Sequence, residues 1–168
     1  MMKALCPWLS FHATRWFTLI LILCTTGCYE CRWSAAGKAI TPADSIAGRW
    51  SGTWQSDANG HDGGLRCIIS DVTADTFKAD FKASYGWLFT FTYTATMRIT
   101  GRAPCPDTQP AIDPMYVYFK GAQDLGWLAG GMYHYDGKVG PTAFFCNYKS
   151  GSDHGRFQLT RPGGAVAD

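Results

Sequence analysis

Side chains that could build a catalytic site are sparse in this chain. Beyond the N-terminal stretch, histidine occurs at His61, His134 and His154. His61 and His154 stand among turn residues, where a polar side chain usually hydrogen-bonds its own loop. The motifs Gly-x-Ser-x-Gly, Ser-x-x-Lys and His-Glu-x-x-His do not occur. The sequence therefore predicts that the protein is not an enzyme.

His134 is the one histidine inside an alternating segment, between Tyr133 and Tyr135. If its side chain points inward, it could orient a bound ligand or bind haem. A histidine hydrogen-bonded among tyrosines is the alternative. We therefore keep His134 as a candidate ligand-binding residue and predict no cofactor.

Cysteine is the other source of chemistry, at Cys31, Cys67, Cys105 and Cys146 after the N-terminal stretch. No two of these four have the close spacing that zinc and redox sites use, so we predict no metal site. In an oxidising compartment four thiols can pair in three ways, and the sequence does not choose among them. Cys67 and Cys146 could instead be buried as small apolar residues.

Strict alternation of apolar and polar residues predicts the elements that position these side chains. From Phe89 to Thr100 every second residue is apolar, and threonine fills most of the other positions. This pattern is typical of a half-buried strand. Eight such strands joined by short turns predict an all-β, antiparallel up-and-down barrel over residues 48–162, with a sandwich as the alternative. The predicted strands are 48–55, 65–70, 76–85, 89–100, 115–121, 127–135, 142–149 and 156–161.

Large and small residues share the inward parity of these strands. An eight-stranded barrel is either filled by its side chains or able to hold one small ligand. A void of at least about 300 Å³ would indicate ligand binding. A filled interior beside an exposed aromatic patch would indicate partner binding. The candidate lining residues are Trp54, Phe77, Phe81, Phe89, Phe91, Tyr93 and Met97, together with His134.

Residues 1–27 have the features of a secretory signal, with an apolar core from Trp16 to Cys24 that is too short for a membrane-spanning helix. Residues 25–28 (Thr-Thr-Gly-Cys) then resemble the lipobox of bacterial lipoproteins. The resemblance implies that Cys28 carries acyl chains such as palmitate and anchors the protein to a membrane of the cell envelope, the outer membrane facing the periplasm. An uncleaved anchor, or a soluble secreted or periplasmic protein, is the alternative. We predict a flexible tether over 28–47 and a frayed tail over 163–168.

Residues 48–50 (Gly-Arg-Trp) and 52–54 (Gly-Thr-Trp) resemble the Gly-x-Trp signature of the calycins, the lipocalin, fatty-acid-binding and avidin barrels. The resemblance implies that Trp50 closes one end of the barrel under a basic residue from the final strand. Arg156 and Arg161 are the candidates, and a cation over an indole contributes roughly 0.5 to 2 kcal/mol. The lipocalin motif Thr-Asp-Tyr does not occur, so the resemblance implies a fold and not a ligand.

The net charge of the chain limits the classes of partner that it is expected to bind. Loss of residues 1–27 leaves thirteen of the fifteen basic residues against thirteen acidic ones, so the remaining chain is formally neutral. Neutrality argues against nucleic acid as a partner, because phosphates require a basic face. The leading hypothesis is a non-enzymatic cell-envelope lipoprotein whose barrel binds or shields a small hydrophobic or amphipathic ligand. The alternative is a structural or partner-binding module with a filled barrel and functional loops.

Overall fold

The computed structural model describes residues 29–42, 44–86, 88–104 and 115–162. The chain forms two compact units, one ending at Ala35 and the other beginning at Ala36. The predicted signal segment, Cys28, Cys105 and the predicted tail lie outside the described residues. What the sequence indicates about them therefore remains a prediction.

The second unit contains eight β-strands that pair in chain order, and the first strand pairs with the last to close the sheet. Neighbouring strands are antiparallel throughout. The predicted eight-stranded up-and-down barrel is confirmed. The strands are β1 (Gly48–Ser56), β2 (Asp62–Ser70), β3 (Thr76–Tyr85), β4 (Phe89–Pro104), β5 (Met115–Asp124), β6 (Met132–Val139), β7 (Ala143–Lys149) and β8 (His154–Thr160).

Strand bounds differ from the prediction where glycine lies inside the sheet. Residues 62–64 and 136–138 were predicted as turns but belong to β2 and β6. A Cβ atom at Gly137 would lie 2.8 Å from the Phe119 ring, and one at Gly63 would lie 2.7 Å from the indole nitrogen of Trp54. Each of these glycines leaves room for the large side chain paired with it on the adjacent strand, a use that the sequence pattern does not distinguish from a turn.

The loop between β5 and β6 also differs from the prediction. Trp127–Ala129 form a short 3₁₀ helix, although the sequence predicted a strand from residue 127. Gly126, Gly130 and Gly131 have φ angles of 81°, 96° and 77°. This left-handed backbone is readily adopted by glycine and interrupts an extended strand. The loop is therefore a compact turn that precedes β6.

Residues 29–38 form a helix, whereas the sequence predicted irregular structure from 28 to 47. The segment is rich in good helix formers, including Ala35, Ala36 and Lys38. It is too short to display the repeating apolar pattern by which longer helices are predicted. Whether residues 28–47 serve as a tether remains a prediction.

Bulky aromatic side chains fill one half of the barrel. Trp50, Phe77, Phe81, Phe119 and Phe144 are fully buried. The ring centroids of Phe77 and Phe119 are 5.2 Å apart, and those of Phe119 and Phe144 are 5.4 Å apart. This half of the barrel is a packed core, so any space for a ligand lies toward the other end.

Candidate ligand-binding site

One end of the barrel is closed by Trp50 and Arg161. The Trp50 indole N–H donates to the Ile46 carbonyl at 3.0 Å, and Cζ of Arg161 lies 4.1 Å from the centroid of the Trp50 ring. The Arg161 guanidinium also donates to the Pro141 carbonyl at 3.1 Å and to two carbonyls in the segment preceding β1. Its charge is thus balanced by backbone dipoles as well as by the indole face.

Arg156, the other arginine to which the resemblance pointed, takes no part in this closure. It lies near the opposite end of the barrel, where it donates to the Gln55 side chain at 2.8 Å and contacts the Asp57 carboxylate at 3.3 Å. Its side chain is on the exposed face of β8, and Arg156 lies opposite Gln55 in the ladder between β1 and β8. Arg161 comes directly after the last residue of β8, and its side chain folds back over the closed end of the barrel. Because Arg161 lies outside the strand, the alternation within β8 does not reveal where its side chain points.

The opposite end opens into an apolar cup of about 190 Å³. Its volume is below the 300 Å³ that we set as a sign of ligand binding, because the core fills the deeper half of the barrel. Aromatic rings form most of the wall, and a single carboxylate is present. The lining residues are Trp54, Leu65, Ala83, Phe91, Tyr93, Leu125, Ala129, Tyr133, Tyr135, Tyr148, Asp153 and Phe157.

Of the predicted lining residues, Trp54, Phe91 and Tyr93 line the cup. Phe77 and Met97 are fully buried in the packed half instead. Phe81 lies beneath the cup, with its ring centroid 5.0 Å from that of Tyr93. Alternation indicates which side chains point inward, but it does not indicate their height along the barrel, and height separates lining from core.

Phe89 and His134 lie outside the cup, contrary to the prediction. Phe89 is 70% exposed because it is the first residue of β4 and pairs with Tyr85 at the end of the β3–β4 hairpin. His134 is exposed, since Tyr133 and Tyr135 on either side of it occupy the inward parity. It therefore cannot orient a ligand inside the barrel.

Several cup residues were missed by the sequence prediction. Tyr133, Tyr135, Tyr148 and Phe157 lie on the inward parity of their strands, so alternation could have found them. The remaining missed residues come from turns or from small and aliphatic positions with no aromatic signal. They are Leu65, Leu125, Ala129 and Asp153, whereas Ala83 is one of the small residues that the alternation placed on the inward parity.

Polar groups at the mouth are held by hydrogen bonds between distant strands. The Trp54 indole N–H donates to the Ser84 carbonyl at 3.0 Å. The Ser56 hydroxyl donates to Asp153 Oδ1 at 2.6 Å, and the Tyr148 hydroxyl donates to Asp153 Oδ2 at 3.3 Å. These bonds connect β1 with β3 and with the β7–β8 turn, so they hold the rim of the cup in place.

Weak acids below the mouth are kept protonated by their surroundings. Burial is the main cause that raises the pKa of Tyr93, Tyr135 and Tyr148. Burial likewise raises the pKa of the Cys67 and Cys146 thiols, which lie inside the barrel. At neutral pH the cup therefore presents uncharged phenols beside its one carboxylate, Asp153.

Alkaline pH is expected to destabilise the barrel. Burial raises the pKa of both thiols in the folded protein. Their contribution to the free energy of unfolding is therefore fully present below the ordinary thiol pKa of 9.0 and decreases as the pH rises above that value. Each thiol should steepen that fall by up to about 1.4 kcal/mol per pH unit. Urea unfolding under reducing conditions at pH 7, 9 and 10 measures the slope. Cys67→Ala should flatten it, with Cys31→Ala, which removes an exposed thiol, as the control; equal slopes would contradict the prediction.

Three of the cysteines lie within the described residues. Cys31, Cys67 and Cys146 are free, and no cluster of three metal-ligating side chains occurs in the part of the chain that the structure describes. Within the same ranges, no helix has both the length and the apolar character needed to span a membrane. The disulfide pairings left open by the sequence involve Cys105, which lies outside those ranges.

Comparison with known proteins adds no relative. No family model, curated protein or solved structure matches this chain. The geometry of the barrel is therefore the basis for inferring its function.

Apolar side chains are exposed around part of the mouth. They come from the β3–β4 and β5–β6 loops and the strand ends beside them, and residues 85–97 and 125–133 include no Asp, Glu, Lys or Arg. The two other loops at this end carry acids and histidines. We call this group the apolar rim: Tyr85 (45% exposed), Leu88 (62%), Phe89 (70%), Trp127 (86%) and Met132 (48%).

The edge of β4 next to the rim has a neighbouring strand on one side only. β4 pairs with β3 from Phe89 to Arg98, whereas its ladder with β5 begins at Met97 opposite Gly121. Residues 89–96 thus lack a second partner strand among the described residues, and they contain no proline, glycine or charge. Natural sheets usually protect an edge with such residues, so an open edge of this kind can accept another strand.

Proposed function

We propose that this protein is a non-enzymatic lipoprotein of the bacterial cell envelope whose barrel binds a small hydrophobic or amphipathic ligand. The observation that carries the proposal is the aromatic cup at one end of a barrel whose other end is closed and filled. A concave, mostly apolar site with a few polar groups is the usual form of a small-molecule site. The phenols and the hydrogen-bonded rim give the cup a fixed shape before a ligand arrives.

The volume of the cup limits the size of the ligand. An apolar cavity of roughly 150 Å³ is enough to bind benzene, whereas pockets for drug-sized molecules begin near 300 Å³. The cup, at about 190 Å³, lies between these values. A single ring with a small substituent, or the end of an acyl chain, fits this range, and a whole lipid does not.

The anchoring part of the proposal depends on residues 25–28. Two acyl chains at Cys28 would hold the protein stably on a membrane, which one chain would not. Mass spectrometry of protein purified from its own membrane, with lipid extraction, would measure both the mass added at Cys28 and any retained ligand. Cys28→Ser should shift the protein out of the membrane fraction; retention of this variant in the membrane would contradict the anchor.

Filling the cup should abolish ligand binding. Ala83 lines the cup from β3, so Ala83→Phe would place a ring in the void. We expect the affinity for α-methylstyrene, an apolar probe of suitable size, to fall at least about tenfold, measured by protein-observed NMR titration. Ala122→Phe adds the same ring at an exposed position of β5 and is the matched control. Failure of the wild-type protein to bind this probe, or equal affinities of both variants, would contradict the proposal.

A second candidate function is partner binding, which the apolar rim and the open edge of β4 favour. An extended peptide could add to residues 89–96 while its apolar side chains cover the rim. Site-specific cross-linking from position 89 in intact cells separates the two candidates. A protein captured from this position, and lost when Trp127 is changed to Ser, would favour partner binding.

A further inference from the structure

We propose that the ligand of the cup is a flat apolar molecule carrying one hydrogen-bond acceptor, and that the hydroxyl of Tyr135 donates to this acceptor. This inference rests on the proposed function and specifies the chemical class of its ligand. It depends on one buried polar atom that has no hydrogen-bond partner among the described residues.

Tyr135 projects inward from β6 and lines the cup, and only 2% of its surface is exposed. Its hydroxyl is buried and has no hydrogen-bond partner among the described residues. The phenol of Tyr93 is a close neighbour, with ring centroids 6.3 Å apart, and the two hydroxyls influence each other's pKa, but no hydrogen bond of ordinary length and angle joins them. A buried polar group left without a partner is rare in folded proteins and calls for an explanation.

Three other polar groups that line the cup are already engaged. The Trp54 indole N–H donates to Ser84, the Tyr148 hydroxyl donates to Asp153, and the Asp153 carboxylate also accepts from Ser56. A ligand acceptor that bonded to Trp54 or Tyr148 would have to displace one of these contacts. The Tyr135 hydroxyl has no such contact to displace among the described residues.

The protonation state of Tyr135 makes this hydroxyl a donor. Burial raises its pKa above the ordinary phenol value of 10.0, so the hydroxyl keeps its proton at any physiological pH. A protonated phenol can donate to a carbonyl, ether or ester oxygen of a ligand. An acceptor at this position would complete the hydrogen bond that the folded protein leaves unmade.

The walls of the cup favour a flat molecule. The rings of Tyr93 and Tyr135 are inclined by only 16°, and those of Tyr148 and Phe157 by 30° with centroids 5.0 Å apart. Nearly parallel aromatic faces offer more contact to a planar ligand than to a branched one. The proposed class is therefore a substituted aromatic ring, or a similarly flat molecule, with one oxygen acceptor.

A pair of matched probes tests the inference. Acetophenone and α-methylstyrene have the same skeleton of non-hydrogen atoms and differ in having C=O or C=CH₂, so one accepts a hydrogen bond and the other does not. Both are titrated into the wild-type protein and into Tyr135→Phe, which keeps the ring and removes the hydroxyl. We expect acetophenone to lose about threefold to tenfold in affinity in the variant, and α-methylstyrene less than about twofold.

The outcomes separate this inference from the proposed function. If α-methylstyrene binds the wild-type protein and both probes lose affinity equally in Tyr135→Phe, the donor role of Tyr135 is overturned, whereas the proposal that the cup binds a ligand is retained. If neither probe binds the wild-type protein, the proposed function fails and the inference fails with it. Tyr133→Phe, which changes another phenol of the cup, should leave the ratio of the two affinities at its wild-type value if Tyr135 is the donor.

Stability without ligand gives an independent readout. Since the Tyr135 hydroxyl has no partner, Tyr135→Phe should leave the melting temperature unchanged or raise it. Tyr148→Phe is the matched comparison and should lower the melting temperature, because its hydroxyl is hydrogen-bonded to Asp153. A fall for Tyr135→Phe as large as that for Tyr148→Phe would mean that the hydroxyl is already bonded inside the protein, which would overturn the inference.

Discussion

Replacing Phe81 with alanine is expected to lower the free energy of unfolding by about 3 to 5 kcal/mol. Phe81 is fully buried on β3, between the packed core and the floor of the cup. Its ring lies 5.0 Å from that of Tyr93, 5.6 Å from that of Phe157 and 6.3 Å from that of Phe144. Removal of the ring leaves a cavity that the surrounding strands cannot close. The protein therefore loses the free energy gained by burying the ring and also bears the cost of an empty cavity.

Phe89→Ala is the matched control, because it makes the same chemical change at a residue that is 70% exposed. We expect its free energy of unfolding to stay within about 0.5 kcal/mol of wild type. Urea denaturation of both variants, monitored by tryptophan fluorescence and by circular dichroism, measures the difference. Similar losses in the two variants would contradict the depth that the structure gives to these side chains.

Trp50→Ala is expected to cost a similar amount, about 3 to 5 kcal/mol. Besides leaving a cavity at the closed end, it removes the indole that covers one face of the Arg161 guanidinium at 4.1 Å and the donor to the Ile46 carbonyl. The carbonyl is left without its hydrogen bond, and the arginine loses its cation-π contact. The closed end should therefore open as well as weaken.

Trp127→Ala is the control for this second variant, since Trp127 is 86% exposed in the β5–β6 loop. Its unfolding free energy should change by less than about 0.5 kcal/mol. Hydrogen exchange adds a spatial test: Trp50→Ala should speed the exchange of β1 and β8 amides near the closed end. A Trp50→Ala protein as stable as wild type would show that the closure by Trp50 and Arg161 contributes nothing to the barrel.

Phe81→Ala and Trp50→Ala affect opposite ends of the barrel core. Phe81 supports the floor of the cup, so Phe81→Ala should enlarge the void as it destabilises the fold. Trp50 lies at the opposite end and does not line the cup. Its replacement should therefore lower the free energy of unfolding without removing a contact to a ligand in the cup. A comparison of ligand affinity in the two variants would therefore show whether the filled half serves only stability or also sets the size of the cup.

Much of the fold was predictable from local sequence. The alternation in residues 76–85 and 89–100 predicted β3 and the first part of β4, because a strand that buries one face must place apolar side chains at every second position. The short turns between such segments led to a closed meander. The Gly-x-Trp signature at residues 48–50 pointed to a tryptophan at one end. The strand glycines and the helix over residues 29–38 were missed, because their local sequence is compatible with turns or tethers.

The candidate site was only partly predictable. Of the predicted lining residues, three line the cup (Trp54, Phe91 and Tyr93) and five do not (Phe77, Phe81, Phe89, Met97 and His134). In a tilted barrel, equivalent inward positions on different strands lie at different heights. Height depends on strand register, which is set by pairing across the whole sheet and cannot be read from one strand.

The sequence by itself determined the all-β class, the order of the strands, the sparseness of histidine and catalytic motifs and the formal neutrality of residues 28–168, because each depends on residue type or on neighbours in the chain. Only the tertiary structure decided that the core fills one half of the barrel, that Arg161 rather than Arg156 covers Trp50, and that the Tyr135 hydroxyl has no hydrogen-bond partner in the described part of the chain. These features depend on contacts between β1, β6 and β8, which closure of the sheet brings together from distant parts of the chain.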